Sequence, residues 1–415
     1  MEPTPDVQTP IASESTTAAI AELAARSGLS HVHVLAWRDL DDDEAGGSEV
    51  HAHNIVAIWA QSGVQVTMRT SAAVGLPSSA VRDGYTISRK AGRYGVFPRS
   101  ALAELSGRLG PCDGLVEIWN GMPFMSPLWW RKPRVVWLHH VHGPMWAMTL
   151  PAPVAAAGVA LEERIAPKFY RRQPIVTLSP SSQTELVDEL GFSEDRVTVI
   201  PPGVDPFFTP GGTRSDAPLA VAVGRLVPVK DFPRLVRVMA GVRERVPNAE
   251  LVIVGEGYER DHIVETIRSC GGQDWVRLAG RVSDDELRDL YRSAWLAVSV
   301  SVREGWGMTL TEAGACGTPT VATDISGHAD AVARDRSGLL RSNDPDLIDA
   351  ITSVMTDEDL RARLQAGAME RAAELTWERT AQANFEVLAA DALCRQGRHR
   401  EADDVMASVH AAFPG

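Results

Sequence analysis

Short apolar bursts punctuate the chain at intervals that suit alternating strands and helices. His31 to Ala36 (HVHVLA) and Val64 to Thr70 (VQVTMRT) predict two strands flanking a helix over Glu49 to Gln61, which makes a βαβ unit. Further β-like runs follow at Leu115 to Ile118, Arg134 to Leu138, Ile175 to Leu178 and Val197 to Ile200, so the expectation is a parallel sheet wrapped by helices. Pro201 to Pro218 then holds five prolines and three glycines, a composition that suits an interdomain linker. Beyond it the alternation restarts, with strands expected at Leu219 to Val223, Leu251 to Val254, Val276 to Leu278, Leu296 to Val300 and Thr320 to Ala322. The pattern predicts an α/β protein of two Rossmann-like domains facing a central cleft. In open sheets of this kind ligands bind beyond the C-terminal strand ends, so the turns after these strands are where chemistry is sought.

Composition narrows the function classes. A length of 415 residues exceeds what one hydrophobic core organises, and 44% hydrophobic with 23% charged residues is ordinary for a folded protein. Residues 1–28 are rich in Thr, Ser, Ala and Pro without a basic start or an apolar run, and are expected to be a flexible leader and no signal peptide. The most apolar stretch, Leu150 to Leu161, has twelve residues and two prolines, too short for a membrane span of about 20 residues. Four cysteines without close pairs suit a reducing cytoplasm rather than a zinc site or a disulfide scaffold. The net charge of −13 argues against unspecific nucleic-acid binding. Against that total, 51–180 carries 14 Lys and Arg and 6 Asp and Glu. This local excess suits either an anionic acceptor or membrane surface, or a scatter of solvated arginines.

Four strand-end loops are chemically suggestive. In Asp39 to Ser48 (DLDDDEAGGS), Gly46 and Gly47 open a helix whose free N–H groups suit a phosphate, although Gly-Gly-Ser also makes an ordinary turn and cap. Asp41, Asp42 and Asp43 read as a solvated loop in preference to a metal site, because no partner ligands follow at a suitable spacing. His139, His140 and His142 sit directly after a strand, where neutral imidazoles can hydrogen-bond a phosphate or sugar; a metal site lacks further ligands. Arg225 and Lys230 share one loop and can clamp a diphosphate. In Arg303 to Glu312 (REGWGMTLTE), Gly305 and Gly307 frame a turn that leaves Glu304 in the loop and Glu312 about one turn inside a helix. Carboxylates accept paired hydrogen bonds from neighbouring sugar hydroxyls. Gly255 and Gly257 lack the third glycine of a dinucleotide fingerprint, so no nicotinamide enzyme is expected.

Taken in order, AGGSE at 45–49, LSPSSQTELVDELGF at 178–192, IPPGVDPFF at 200–208, VGRLVPVKDF at 223–232, LVIVGEGYER at 251–260 and EGWGMTLTEAGACGTPTVAT at 304–323 resemble the retaining glycosyltransferases of the GT-B fold, in the large fourth sequence family. The resemblance implies that Arg225 and Lys230 hold a donor pyrophosphate, Glu312 the ribose and Glu304 the transferred sugar. Gly305, Trp306, Gly307, Met308 and Thr309 would lie on the donor, Gly46 and Gly47 near its phosphates, and His139 at the reacting sugar with His140 and His142 as further contacts. It implies transfer of a hexose-type sugar without a metal or other cofactor from a UDP- or GDP-linked co-substrate; the basic stretch 51–180 suits a lipid-linked or phosphorylated acceptor, in the cytoplasm or at the inner membrane face. It also implies interleaved domains: 29–205 with a returning helix 381–415 on the acceptor side, and 206–380 on the donor side. Near Asp324 to Val332, where the family shows two glycines and, a few residues on, a glutamate, this chain has Ser326, Gly327 and then Asp330, which bears on sugar identity. An epimerase or phosphorylase, or a silent nucleotide-sugar-binding module, are the competing readings.

Overall fold

The computed structural model describes residues 11–413 except 43 and 144, and all of 149 but its side chain. These residues divide into two compact units. An inserted unit comprises Val204–Thr376; a discontinuous unit is made of the chain before it, up to Gly203, and after it, from Trp377.

The discontinuous unit begins with helix α1 (Glu14–Ser27), strand β1 (His31–Leu35), α2 (Gly47–Gln61), β2 (Gln65–Thr70), β3 (Ser79–Arg82), β4 (Tyr85–Arg89) and α3 (Val96–Leu105). It continues through β5 (Gly114–Ile118), α4 (Ser126–Trp129), β6 (Arg134–Trp137), α5 (Met145–Thr149), α6 (Ala152–Val159), a π-helical turn at Ala160–Ile165, α7 (Pro167–Tyr170), β7 (Ile175–Thr177), α8 (Pro180–Asp188) and β8 (Val197–Val199). The inserted unit follows with β9 (Leu219–Val223), α9 (Phe232–Arg243), β10 (Glu250–Val254), α10 (Arg260–Ser269), β11 (Val276–Gly280), α11 (Asp284–Ser293) and β12 (Leu296–Ser299). It ends with α12 (Met308–Ala315), β13 (Thr320–Thr323), α13 (His328–Ala331), β14 (Gly338–Arg341), α14 (Asp344–Thr356) and α15 (Glu358–Ala373). Helices α16 (Trp377–Arg395) and α17 (His399–Ala412) complete the discontinuous unit.

Each unit is one sheet covered by helices. The discontinuous unit's strands run β3-β4-β2-β1-β5-β6-β7-β8, all pairs parallel except β3 with β4. The inserted unit's six parallel strands run β11-β10-β9-β12-β13-β14, the dinucleotide-fold order, with the sequence direction reversing between β9 and β12. Apolar runs such as Leu219–Val223 are buried nearly end to end because helices cover both faces.

Three expectations change. The stretch read as a flexible leader holds α1 at Glu14–Ser27, and residues 1–10 lie outside the described residues. The Ser13 hydroxyl caps α1 at Thr16 N, Gly28 ends it at φ 73°, and Ile20 and Leu23 are buried where α1 packs on α2 and α16. The proline-rich linker is largely part of the inserted unit: Val204 N donates to Leu375 O at 3.1 Å, the Trp295 indole to Ser215 O at 2.8 Å, and Arg288 lies 4.3 Å over the Phe207 ring. The acidic loop after β1 is not solvated. Asp39 is buried in an ion pair with Arg89, and Asp41 pairs with Arg82 and, at 2.6 Å, with Arg89. Both arginines come from the β3–β4 hairpin, which the hydrophobic pattern did not predict; Asp43 lies outside the described residues.

Candidate active site

The inserted unit's site grows from the two strands at its reversal point. After β9 the chain turns through Gly224 and Arg225 into a 3₁₀ turn, Pro228–Lys230. Asp231 then caps α9 by accepting from Arg234 N at 3.2 Å. This loop is pinned from beneath by β10's end. A Cβ on Gly255 would lie 2.0 Å from Gly224 O and one on Gly257 2.3 Å from Leu226 O, with both glycines at positive φ. The two glycines thus serve close backbone approach. Leu226 N donates to Glu256 O at 2.8 Å and Val302 N to Val229 O at 2.9 Å, joining the loops after β9, β10 and β12.

Lys230 and Glu304 meet in an ion pair, and the Ser301 hydroxyl donates to the same Glu304 oxygen at 2.8 Å. Burial alone would raise the Glu304 carboxyl, but Lys230, the nearby His328 and the Ser301 hydrogen bond outweigh it and hold its pKa below the ordinary range. Gly327 backs the turn: a Cβ there would lie 2.5 Å from Glu304 O. Gly307, at φ 112°, caps α12 and starts the helix that carries Met308, Thr309 and Glu312. Burial pushes the Glu312 carboxyl up to about 7, with Asp205 adding to the rise and the Tyr291 hydroxyl, which donates to it at 3.2 Å, opposing it. Gly305 and Trp306 are buried, and Arg371 lies 5.6 Å over the Trp306 ring, so Trp306 packs beneath the loop. His328 is fully buried, its Nδ1 3.0 Å from Thr323 O, and its Nε2 meets no partner among the described residues.

In the discontinuous unit, Gly46 caps α2 in an extended conformation, and its N–H donates to the Glu49 carboxylate at 2.8 Å. Glu49 therefore already occupies one of the donors expected to be open for a phosphate. Arg38, on the loop after β1, lies 3.4 Å from Glu49. A recess lined by Arg38, Asp39, Ser48, Glu49, His53 and Asn120 lies between the loops after β1 and β5.

The histidines follow β6. His139 is 5% exposed and stands edge-on to the fully buried His51, with ring centroids 4.7 Å apart. Burial, then the neighbouring His51 and His140, keep His139 neutral well below the ordinary imidazole range, and its Nε2 meets no partner among the described residues. His140 stacks on His142 at 5.0 Å. Their loop is anchored by the fully buried Glu162 on the π-helical turn, which accepts from His142 N at 2.9 Å, Gly143 N at 3.3 Å and the Trp146 indole at 2.8 Å.

Among the described residues, His33, Glu104 and Cys112 are the three side chains grouped closely enough to hold an ion. They are already satisfied by hydrogen bonds: His33 Nδ1 lies 2.9 Å from both Glu104 oxygens, and the Cys112 thiol donates to Gly114 O at 3.2 Å.

Five residues that shape these sites escaped the sequence reading: Tyr291, Ser301, His328, His51 and Glu162. Ser301 had the clearest signal, since it lies just past an apolar strand and three residues before Glu304.

The fold resembles that of several solved structures. Sucrose-phosphate synthase from Thermosynechococcus elongatus superposes with a TM-score of 0.74 at 19% identity, covering 90% of this chain and 98% of that one. Anabaena HepE, solved with UDP and glucose, gives 0.69 at 17% identity, covering 87% and 100%. The fold is thus of the GT-B class, two Rossmann-type units in one chain.

A family profile described as Glycosyl transferases group 1 matches residues 205–371, and one described as Glycosyltransferase Family 4 matches residues 45–207. A D-inositol 3-phosphate glycosyltransferase from Salinispora arenicola is 30% identical over 86% of this chain and 90% of its own length. A relative of the same name from Stackebrandtia nassauensis is 37% identical, over 50% of this chain and 52% of that one. The chain belongs to the group 1 glycosyltransferases. Among its described residues no helix is long and apolar enough to cross a membrane.

Proposed function

We propose that the protein transfers a hexose-type sugar from a UDP- or GDP-linked donor to a hydroxyl of a phosphate-bearing acceptor, with retention at the anomeric carbon and without a metal. The observation that carries this reading is the pair of loops at the β9/β12 reversal, where Lys230 and Glu304 meet and Glu312 follows one turn into α12. Arg225 and Lys230 supply two cations for a leaving diphosphate, and the α12 N-terminus adds a favourable dipole. Glu312 accepts the ribose hydroxyls and Glu304 those of the transferred sugar. The UDP complex of HepE and the inositol 3-phosphate named for the relatives support the donor and acceptor classes.

The sugar leaves through an oxocarbenium-like state, and the acceptor attacks from the face that the diphosphate vacates. The diphosphate oxygen takes the acceptor proton as its own negative charge is neutralised. His139, held neutral, hydrogen-bonds the reacting sugar. Arg225 and Lys230 provide the charge balance that a divalent ion supplies in other transferases.

A thermal-shift screen of UDP-, GDP- and ADP-sugars without metal tests the donor assignment. The expected result is a shift with a UDP- or GDP-sugar that disappears in Glu312→Ala and in Lys230→Ala. No shift with any of them at millimolar concentration overturns it. Product analysis with inositol 3-phosphate as acceptor then tests the reaction: an α-linked product from an α-linked donor is expected, while an inverted product or a free epimerised donor refutes it.

A further inference from the structure

The discontinuous unit carries an exposed apolar surface on neighbouring helices. On α3, Leu102 and Leu105 are 66% and 63% exposed; on α4, Leu128 is 52% exposed; along the turn into α7, Ile165 and Phe169 are 46% and 41% exposed. Helix α4 packs against both α3 and α7, so these side chains belong to adjoining elements. Spacing places Leu102 and Leu105, three apart, on one helical face, and Ile165 and Phe169, four apart, on another. The opposite faces are the packed ones: Val96 and Phe97 of α3, and Ala166 and Tyr170 beside α7, enter the core.

The same segments are strongly cationic. Arg164, Lys168, Arg171 and Arg172 are exposed around Ile165 and Phe169, and Arg131 and Lys132 are exposed just after α4. Among the described residues none of these six joins an ion pair, whereas the acidic loop after β1 binds up Arg38, Arg82, Arg89 and Arg93. Of the carboxylates on these segments, Glu104 and Glu162 are buried, which leaves Glu163 as the partly exposed one. Large apolar side chains and cations without ion pairs on the same adjoining elements, in a protein whose net charge is −13, make this a local amphipathic surface.

We propose that the exposed face of α3, α4 and α7 docks on an anionic lipid bilayer, with Leu102, Leu105, Leu128, Ile165 and Phe169 entering the headgroup region and the surrounding cations meeting lipid phosphates. Charge complementarity selects this occupant: five cations without an ion pair, together with Lys132, whose ammonium donates to Cys112 O at 2.7 Å, suit a continuous sheet of negative charge, and aliphatic and aromatic tips suit its acyl boundary. The inference concerns the discontinuous unit alone and holds for any donor sugar. It adds a location for the acceptor: a phosphate-bearing hydroxyl displayed by the membrane itself.

Vesicle co-sedimentation of the full chain tests it, comparing neutral phosphatidylcholine vesicles with vesicles containing about one third phosphatidylglycerol. The wild type is expected to sediment with the anionic vesicles at low salt, to be partly released at high salt and to leave neutral vesicles nearly empty. The triple variant Lys168→Glu/Arg171→Glu/Arg172→Glu is expected to partition roughly a hundredfold more weakly, since each surface cation contributes about tenfold or somewhat less. Phe169→Ser/Leu105→Ser is expected to keep the low-salt binding and lose the salt-resistant fraction. An unchanged melting temperature and donor-induced thermal shift establish that each variant is folded, and both readouts are independent of lipid. Absence of sedimentation with anionic vesicles, equal sedimentation with neutral ones, or an unaffected triple variant overturns the proposal.

Discussion

The Lys230 ammonium and the Glu304 carboxylate are ion-paired with each other across the loops after β9 and β12, although the two residues are proposed to meet different parts of the donor. The pair keeps two partly buried charges compensated and holds the loops after β9 and β12 together.

Replacing Lys230 with Ala removes a cation from the leaving group and leaves Glu304 uncompensated. Turnover is expected to fall by about 10² or more, corresponding to roughly 3 kcal/mol of transition-state stabilisation. The Glu304 carboxyl is expected to titrate at higher pH, because burial then acts without its main opposing charge. Steady-state kinetics with saturating acceptor check the first effect. Lys230→Arg is not expected to restore full activity, since a planar fork differs from a point charge.

Donor binding is expected to depend on pH through Glu312. Its ordinary value is 4.5 and in the folded chain it lies at about 7, so at neutral pH the group is roughly half protonated. Ribose hydroxyls donate to the carboxylate form, so donor affinity is expected to rise from pH 6 to pH 8, with a proton released on binding. Calorimetry in two buffers of different ionisation enthalpy measures that proton, and Glu312→Gln abolishes the slope. The stability consequence has the opposite sign. The raised value favours the folded chain fully below pH 4.5, and this contribution is lost as pH rises through 7, on the order of 3 kcal/mol at about 1.4 kcal/mol per pKa unit.

Gly255→Ala tests the pinning of the Arg225–Lys230 loop. Its new methyl would meet Gly224 O at 2.0 Å in a backbone conformation with φ at 133°. Denaturant unfolding is expected to show a loss of about 2 kcal/mol or more, accompanied by weaker donor binding as the loop is displaced.

Glu162 anchors the histidine loop from a distance. Glu162→Leu strips three N–H donors of their acceptor, with an expected cost of about 1–3 kcal/mol for each left unsatisfied. Because these contacts lie in the discontinuous unit, the thermal shift caused by the donor is expected to persist while turnover falls at least tenfold. Loss of both together would mean that the anchor serves the whole fold and not the histidines.

Much of the fold was legible in the sequence, for a reason visible in β9. Leu219–Val223 is apolar at every position because helices cover both faces of a parallel sheet, and the expected and observed limits coincide. The β3–β4 hairpin was not legible, since exposed, partly polar strands such as Ser79–Arg82 carry no such run. Missing it hid Arg82 and Arg89, and with them the reason why Asp39 and Asp41 are not solvated. Helix α1 was concealed by composition: Thr, Ser and Ala dominate it, and only Ile20 and Leu23 reveal its buried stripe. At the site, residues on strand-end loops could be picked out locally. Tyr291, on α11, and His51, on α2, act through contacts distant in sequence, which no local pattern encodes.

The inserted unit enters and leaves the chain at one place. Val204 and Thr376 are bridged as parallel neighbours, and Val204 N donates to Leu375 O at 3.1 Å. Its two ends therefore close on themselves without help from the rest of the chain. In the language of modular assembly, Val204–Thr376 is a cassette with adjoining sockets: its two junctions lie side by side, so the unit is exchangeable as one piece while the α3–α4–α7 surface stays the same.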